Sequence, residues 1–162
     1  MQRVAKFHKV SYKQFSASLG SNASEDIFSK LKLPRRATTG SAGYDFFAPF
    51  DFTLSPGEEI TIPTGIRAEI ENGYVLMLYP RSGLGFKYSL RLNNTVGVID
   101  SDYFYSDNEG HIMIRMTNCS PDKTVEVAAG QGFAQGIFMP FGITTDDDAD
   151  GLRNGGFGST TK

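Results

Sequence analysis

Thiols are nearly absent from this chain: Cys119 stands alone, so no disulfide can close within it and a reducing intracellular compartment fits. The residue reads as a small packed side chain rather than a nucleophile. An excess of basic charge is missing as well, because 16 lysines and arginines face 18 acidic residues for a net charge of −2. That argues against binding of long nucleic acid through a basic surface. A few placed arginines can still hold a triphosphate whatever the total charge. Long apolar runs are lacking too. No stretch approaches a membrane span, and the N-terminus, with Arg3, Lys6 and Lys9, has no signal-peptide core, so a cytoplasmic protein without a membrane partner is the expectation. No His/Cys/Asp cluster has metal-ligand spacing, and His8 and His111 have no apparent partners. There is no P-loop, and Gly83-Leu84-Gly85 and Gly130-Gln131-Gly132 fail the dinucleotide fingerprint.

Glycine and aromatics are plentiful instead. Eighteen glycines, 13 phenylalanines and 7 tyrosines in 162 residues favour one domain of many short strands and turns, large enough to bury a core unaided. Residues 1–33 differ from the rest of the chain. Val4 to Val10 alternates as a strand does, whereas Tyr12, Phe15, Leu19 and then Ile27, Phe28, Leu31 recur at helical spacing, with an N-cap offered by Asn22-Ala23-Ser24-Glu25. This predicts an N-terminal extension of a strand and one or two short helices, packed on a core spanning 34–143.

From Gly43 onward the pattern is β. Strands are expected at Phe50–Leu54, Glu59–Ile62, Ile66–Ile70, Tyr74–Tyr79, Ile112–Thr117, Val125–Ala128 and Gln135–Met139, and Asn72-Gly73 is the strongest hairpin signal. Such spacing indicates a sandwich or jelly roll. After Phe141 the polar, acidic run Thr144 to Asp150 marks a mobile arm over 144–162. Fully extended, the residues from Gly142 on could reach about 60–70 Å, enough to touch a neighbouring subunit.

Residues Asn93 to Tyr103, NNTVGVIDSDY, read as a tight hairpin: a polar turn, a β-branched return strand with one glycine, then an acidic cluster closed by an aromatic. Backbone groups left over from its own ladder could meet the flat edge of a nucleobase. The alternative is a surface hairpin with solvated acids. Likewise Asp100 either caps the hairpin or serves a ligand, Arg81-Ser82-Gly83 is either an ordinary turn or a phosphate cradle, and Asp45 is structural or functional.

Five blocks, Ser41-Ala42-Gly43-Tyr44-Asp45, Pro80-Arg81-Ser82-Gly83-Leu84-Gly85, Asn93 to Tyr103, Gly132-Phe133-Ala134-Gln135 and Arg153-Asn154-Gly155-Gly156-Phe157-Gly158-Ser159-Thr160, resemble the five ordered motifs of homotrimeric dUTPase. The resemblance runs from about Leu33 to the C-terminus. It implies an all-β, jelly-roll-like distorted barrel and Mg²⁺-dependent hydrolysis of dUTP to dUMP and pyrophosphate, which limits uracil in DNA and supplies dUMP for dTMP synthesis. Water attacks the α-phosphorus with Asp100 as general base; Gln135 and Arg153 assist. Uracil selection falls to Asn94 and to the backbone around Gly97, Val98 and Ile99. Tyr103 stacks on the deoxyribose, leaving no room for a 2′-hydroxyl, and Met113 lines the pocket. Arg81, Ser82 and Gly83 take phosphates. Phe157 stacks on uracil, while Gly158, Ser159, Thr160 and Arg153 close over the phosphates. Magnesium arrives on the triphosphate, held by phosphate and water, with Asp45 and Gln135 acting through water. Three subunits share each site, so dUTP and two further copies of the chain are the implied partners.

Two departures stand out. The family usually has one residue between the tyrosine and the next glycine, whereas Phe104 to Glu109 precede Gly110 here; the Arg153 to Phe157 interval is one residue shorter than in the commoner pattern. The related dCTP deaminases use a glutamate where Arg115 aligns, and arginine transfers protons poorly near neutral pH. A nucleotide-gated binding module is the rival from another class, with the extension or the 104–110 loop as the place for a protein partner.

Overall fold

A computed structural model describes residues 2–151. Within them the chain opens with β1 (Ala5–Lys9), α1 (Tyr12–Leu19) and α2 (Glu25–Lys30). Ser11 caps α1 by accepting the Gln14 N–H, and Ser24 caps α2 by accepting that of Ile27. The strands β2 (Arg35–Arg36), β3 (Tyr44–Phe47), β4 (Phe52–Leu54), β5 (Glu59–Pro63), β6 (Ile66–Ile70) and β7 (Tyr74–Pro80) come next, then α3 (Ser82–Tyr88). The chain continues through β8 (Leu90–Leu92), β9 (Gly97–Ile99), a 3₁₀ turn at Ser101–Tyr105, β10 (Met113–Asn118), β11 (Val125–Val127) and β12 (Gly132–Pro140).

All the ladders are antiparallel. Five strands run in the order β2-β3-β12-β7-β9, three as β5-β10-β8, and two pairs as β11-β4 and β1-β6. The arrangement is jelly-roll-like, and among the described residues these ladders form four sheets rather than one closed barrel. Phe-Thr-Leu in β4, Leu-Arg-Leu in β8 and Val-Glu-Val in β11 alternate buried, exposed, buried, because successive strand side chains face opposite ways. Their inward residues join Phe46, Ile62, Leu76, Ile114, Met116 and Phe133 in the main core. Cys119 is exposed rather than packed; it follows the buried Asn118 at the end of β10, so the alternation turns it outward.

Two turns differ from expectation. Asn72-Gly73 does reverse the chain, with Gly73 at φ 85°, yet β6 pairs with β1 and β7 pairs with β12 and β9. The turn is therefore a corner between sheets rather than the tip of a hairpin. The same holds for residues 93–96, because β8 pairs with β10 and β9 with β7. Local turn chemistry sets the reversal, whereas the ladder partner is chosen by distant strands. α3 was not expected either, since two glycines in SGLGFKY hide the helix from propensity.

The N-terminal extension has its own small core of Val10, Phe15 and Leu31, and it is joined to the rest by β1 and by a buried histidine. His111 has both partners that its sequence surroundings conceal: Nε2 accepts the Gly65 N–H at 2.8 Å, and Nδ1 lies 3.1 Å from Ser18 Oγ on α1. Since Gly65 can only donate, the neutral ring carries its proton on Nδ1 and gives it to Ser18. His8 is paired too, with Glu69 at 3.0 Å. No helix among the described residues is long and apolar enough to cross a membrane.

Burial pushes the His111 pKa down from 6.5 to about 4, against the opposing pull of Glu109. The unfolded chain therefore binds one more proton than the native one between these values, and stability falls as pH drops through that window. Urea unfolding between pH 7 and 5 should show a slope approaching ~1.4 kcal/mol per pH unit from this group, absent in His111→Gln.

Candidate active site

Residues from three distant segments meet at one end of the five-stranded sheet. β12 lies between β3 and β7, in a register that sets Gln135 opposite both Asp45 and Tyr79, and β7 runs out through Pro80 into Arg81. There Arg81 Nε lies 3.1 Å from Asp45 Oδ1, and its Nη1 donates to the Gly132 carbonyl at 3.2 Å. Gln135 Nε2 donates to the Pro80 carbonyl at 3.0 Å. That bond fixes which way the amide points and turns Oε1 toward Gly43. A Cβ on Gly43 would come within 2.5 Å of this oxygen, and one on Gly132 within 2.8 Å of Arg81 Nη1. A side chain at either place would displace the Gln135 amide or the Arg81 guanidinium from its present position.

The Arg81 side chain remains 41% exposed, so its fork can still take an anion. Ser82 and Gly83, both exposed, form the first turn of α3, where backbone N–H groups have no acceptor within the helix. Among the described residues no group of three or more His, Cys, Asp or Glu could cage a metal. A carboxylate already paired with arginine and one amide oxygen make a donor set suited to a hydrated cation carried by its ligand.

The second group lies on β9, at the sheet's edge. Its side away from β7 has no strand partner among the described residues, and Val98 is 53% exposed there. Gly97 is buried against Leu78, whose Cβ would stand 3.0 Å from a Cβ at that position. Asn94 is exposed at the turn, followed by Thr95 at φ 65°, an uncommon conformation for a β-branched residue. The turn is anchored by its neighbour: Asn93 donates to Glu59 at 3.0 Å and accepts from Thr117 at 2.8 Å. The Arg115 hydrogen bond, and after it that of Asn93, hold the Glu59 carboxyl below its usual pKa. Arg115 is thereby committed to an ion pair on the sheet surface.

Asp100 follows Ile99 at the N-cap position of the 3₁₀ turn. Tyr103, inside that turn, is 6% exposed; its hydroxyl donates to the His111 carbonyl and accepts from Asn108 Nδ2, each at 2.8 Å. Met113, half-buried, begins β10 two residues beyond His111. Arg153, Phe157, Gly158, Ser159 and Thr160 lie outside the described residues.

The ladder register spaces Asp100 from Arg81 within one chain. Ile99 is opposite Leu76, so Asp100 is level with Val75, and Arg81 lies six residues further along the same strand path. At strand rise that separation is about 20 Å. The residues that sequence reading missed are Asn108, Glu109 and His111, which tie the Tyr103 region to α1; the inserted loop was their one visible sign.

Gly97→Ala should push β9 off Leu78 and destabilise the protein by about 1–3 kcal/mol, read as a lowered midpoint in urea unfolding without a change of slope.

The dUTPase family model matches residues 29–161. The chain is 44% identical over 133 residues to a deoxyuridine 5′-triphosphate nucleotidohydrolase of Lactococcus lactis, a match covering 80% of this chain and 88% of that protein. The crystal structure of dUTPase from Streptococcus mutans aligns with a TM-score of 0.65 at 35% identity, over 85% of this chain and 97% of the other. A Staphylococcus bacteriophage 80alpha dUTPase with dUPNHPP aligns at a TM-score of 0.66 over 98% of this chain and 99% of that one; at 21% identity this likeness concerns the fold.

Proposed function

The chain belongs to the dUTPase family, and from that premise we propose that it hydrolyses dUTP to dUMP and pyrophosphate at a site shared between copies. The observation that carries this reading is the cluster of Arg81, Asp45 and Gln135 backed by Gly43 and Gly132: an exposed arginine fork, held by a carboxylate, beside the first turn of a helix. Such a place takes phosphates.

The reading assigns the open edge of β9 to uracil. Backbone donors and acceptors cannot flip as an amide side chain can, so cytosine would set donor against donor there. Asp100, just past the edge, accepts a proton from the water that attacks the α-phosphorus, and pyrophosphate leaves. Arg81, Ser82 and Gly83 hold the phosphates. Asp45 and Gln135 would hold, through water, a magnesium ion carried on the triphosphate, which would supply neutralisation of phosphate charge. Tyr103 lies against the sugar and Met113 beside it, and the arm over 144–162 brings Arg153, Phe157, Gly158, Ser159 and Thr160 over the nucleotide. Since Asp100 and Arg81 stand about 20 Å apart in one chain, the base-reading edge of one copy works with the phosphate cluster of another, in a homotrimer. Deamination is disfavoured, because Arg115 is paired with Glu59 and offers no proton-transfer group.

Pyrophosphate release with magnesium should be far faster from dUTP than from dCTP, dTTP or UTP, and Asp100→Asn should lower the dUTP rate by about 10²–10⁴. Tight dUTP binding without turnover by the parent protein would sink the hydrolase reading. Arg81→Ala should be inactive on its own. Unfolded together and refolded as a 1:1 mixture, the Asp100→Asn and Arg81→Ala chains should regain about a quarter of the parent activity, because random assembly unites both intact residues at that share of sites. No recovery would mean that each copy carries a complete site.

A further inference from the structure

The stretch between Tyr103 and Gly110 is where this chain departs from the family pattern, and it is tied down from several directions. Arg67 Nη2 donates to the Phe104 carbonyl at 2.6 Å while its guanidinium carbon lies 3.5 Å from the centre of the Phe104 ring. Glu109, in the left-handed region at φ 59°, accepts the Ser11 N–H at 2.7 Å and the Ser11 hydroxyl at 2.6 Å. The loop is thereby clamped to the start of α1. Gly110 closes it so tightly that a Cβ there would come within 2.6 Å of the Tyr103 carbonyl oxygen.

Inside this frame Asn108 reaches back. Its Oδ1 accepts the Gly110 N–H at 3.2 Å, which orients the amide, and its Nδ2 donates to the Tyr103 hydroxyl at 2.8 Å. The same hydroxyl gives its proton to the His111 carbonyl. A phenol held by one partner can move about it; held by two, the far end of its ring is fixed in place. A ring fixed at its far end cannot retreat from a sugar that carries an extra hydroxyl.

We infer that Asn108 is a positioning residue for sugar selection: from the inserted loop it holds the Tyr103 ring, and so sets how strictly a ribonucleotide is refused. The inference rests on the proposed hydrolysis of dUTP and adds to it a residue outside the five motif blocks. The clamp on Ser11 gives the N-terminal extension a part in the same task, since α1 anchors the loop that carries Asn108.

The test is steady-state kinetics with dUTP and UTP on the parent protein, Asn108→Ala, Tyr103→Phe and the double variant. Loss of one hydrogen bond should lower the ratio of kcat/KM for dUTP over UTP about tenfold in Asn108→Ala, mostly through KM. Tyr103→Phe should act in the same direction. The double variant should be no less selective than the worse single one, because both changes cut the same link. An unchanged ratio in Asn108→Ala beside a lowered Tm would overturn the inference, as would effects that multiply in the double variant. If Asn108→Ala does not fold, Tyr103→Phe decides: it keeps the ring and its packing, and an unchanged ratio there overturns the inference. A parent protein that hydrolyses dUTP no better than UTP would overturn the dUTP hydrolase reading, and this inference with it. Undiminished selectivity in the variants beside a selective parent overturns the inference alone.

Discussion

The antiparallel ladder of β7 on β12 is the constraint on which the rest of the structure depends. Seven residue pairs, from Ala134 with Pro80 to Pro140 with Tyr74, run without a break. Gly136 lies within it so close to its neighbours that a Cβ would come within 2.7 Å of Leu76 and 3.0 Å of Phe46. A shift by one residue would turn Leu76 and Leu78 out of the core and bring a larger residue to the position that tolerates only glycine. Register here is therefore set by packing. Everything placed at the ends of β7 inherits it.

Both candidate groups are so placed. Gln135 comes beside Asp45 and Arg81 because β12 is flanked by β3 and β7, while β9 is carried on the other side of β7 as the edge of the sheet. A rigid strand that sets Asp100 level with Val75 and carries Arg81 just past Pro80 keeps those two apart, and that is the physical ground for proposing a site completed by another copy. The open edge of β9 would ordinarily be an aggregation hazard. It is three residues long, with a left-handed residue two positions before it and a 3₁₀ turn two after it, which limits what can pair with it.

A second layer of order is polar. His111 is fully buried between the N-terminal helix and the core, satisfied on both ring nitrogens and again at its carbonyl. Buried polar groups are costly unless fully paired, so the contacts from Ser18 and Gly65 to His111, and from Ser11 to Glu109, hold or fail together. Burial works against the Glu109 charge, yet the two Ser11 hydrogen bonds, helped by Arg67 and His111, still bring its pKa below the usual value. The extension is thus joined to the inserted loop by groups separated by more than ninety residues.

By itself the sequence determined the class of fold, most of its strands, the cap at Ser24 and the five blocks that carry the family resemblance. These are legible because alternation, turn chemistry and short motifs are local: each is written within a few residues. Local signals did not reveal α3, whose glycines mask it, nor the strands β2, β3 and β8, which are short or lie inside motifs. Tertiary structure alone decided which strands pair across Asn72-Gly73 and across residues 93–96. It also decided that His111 and Glu109 reach back to α1, and that Asp100 and Arg81 stand at opposite ends of one strand. Those outcomes depend on which distant surfaces bury the most apolar area while pairing every polar group, and that choice is made only when the whole chain has packed.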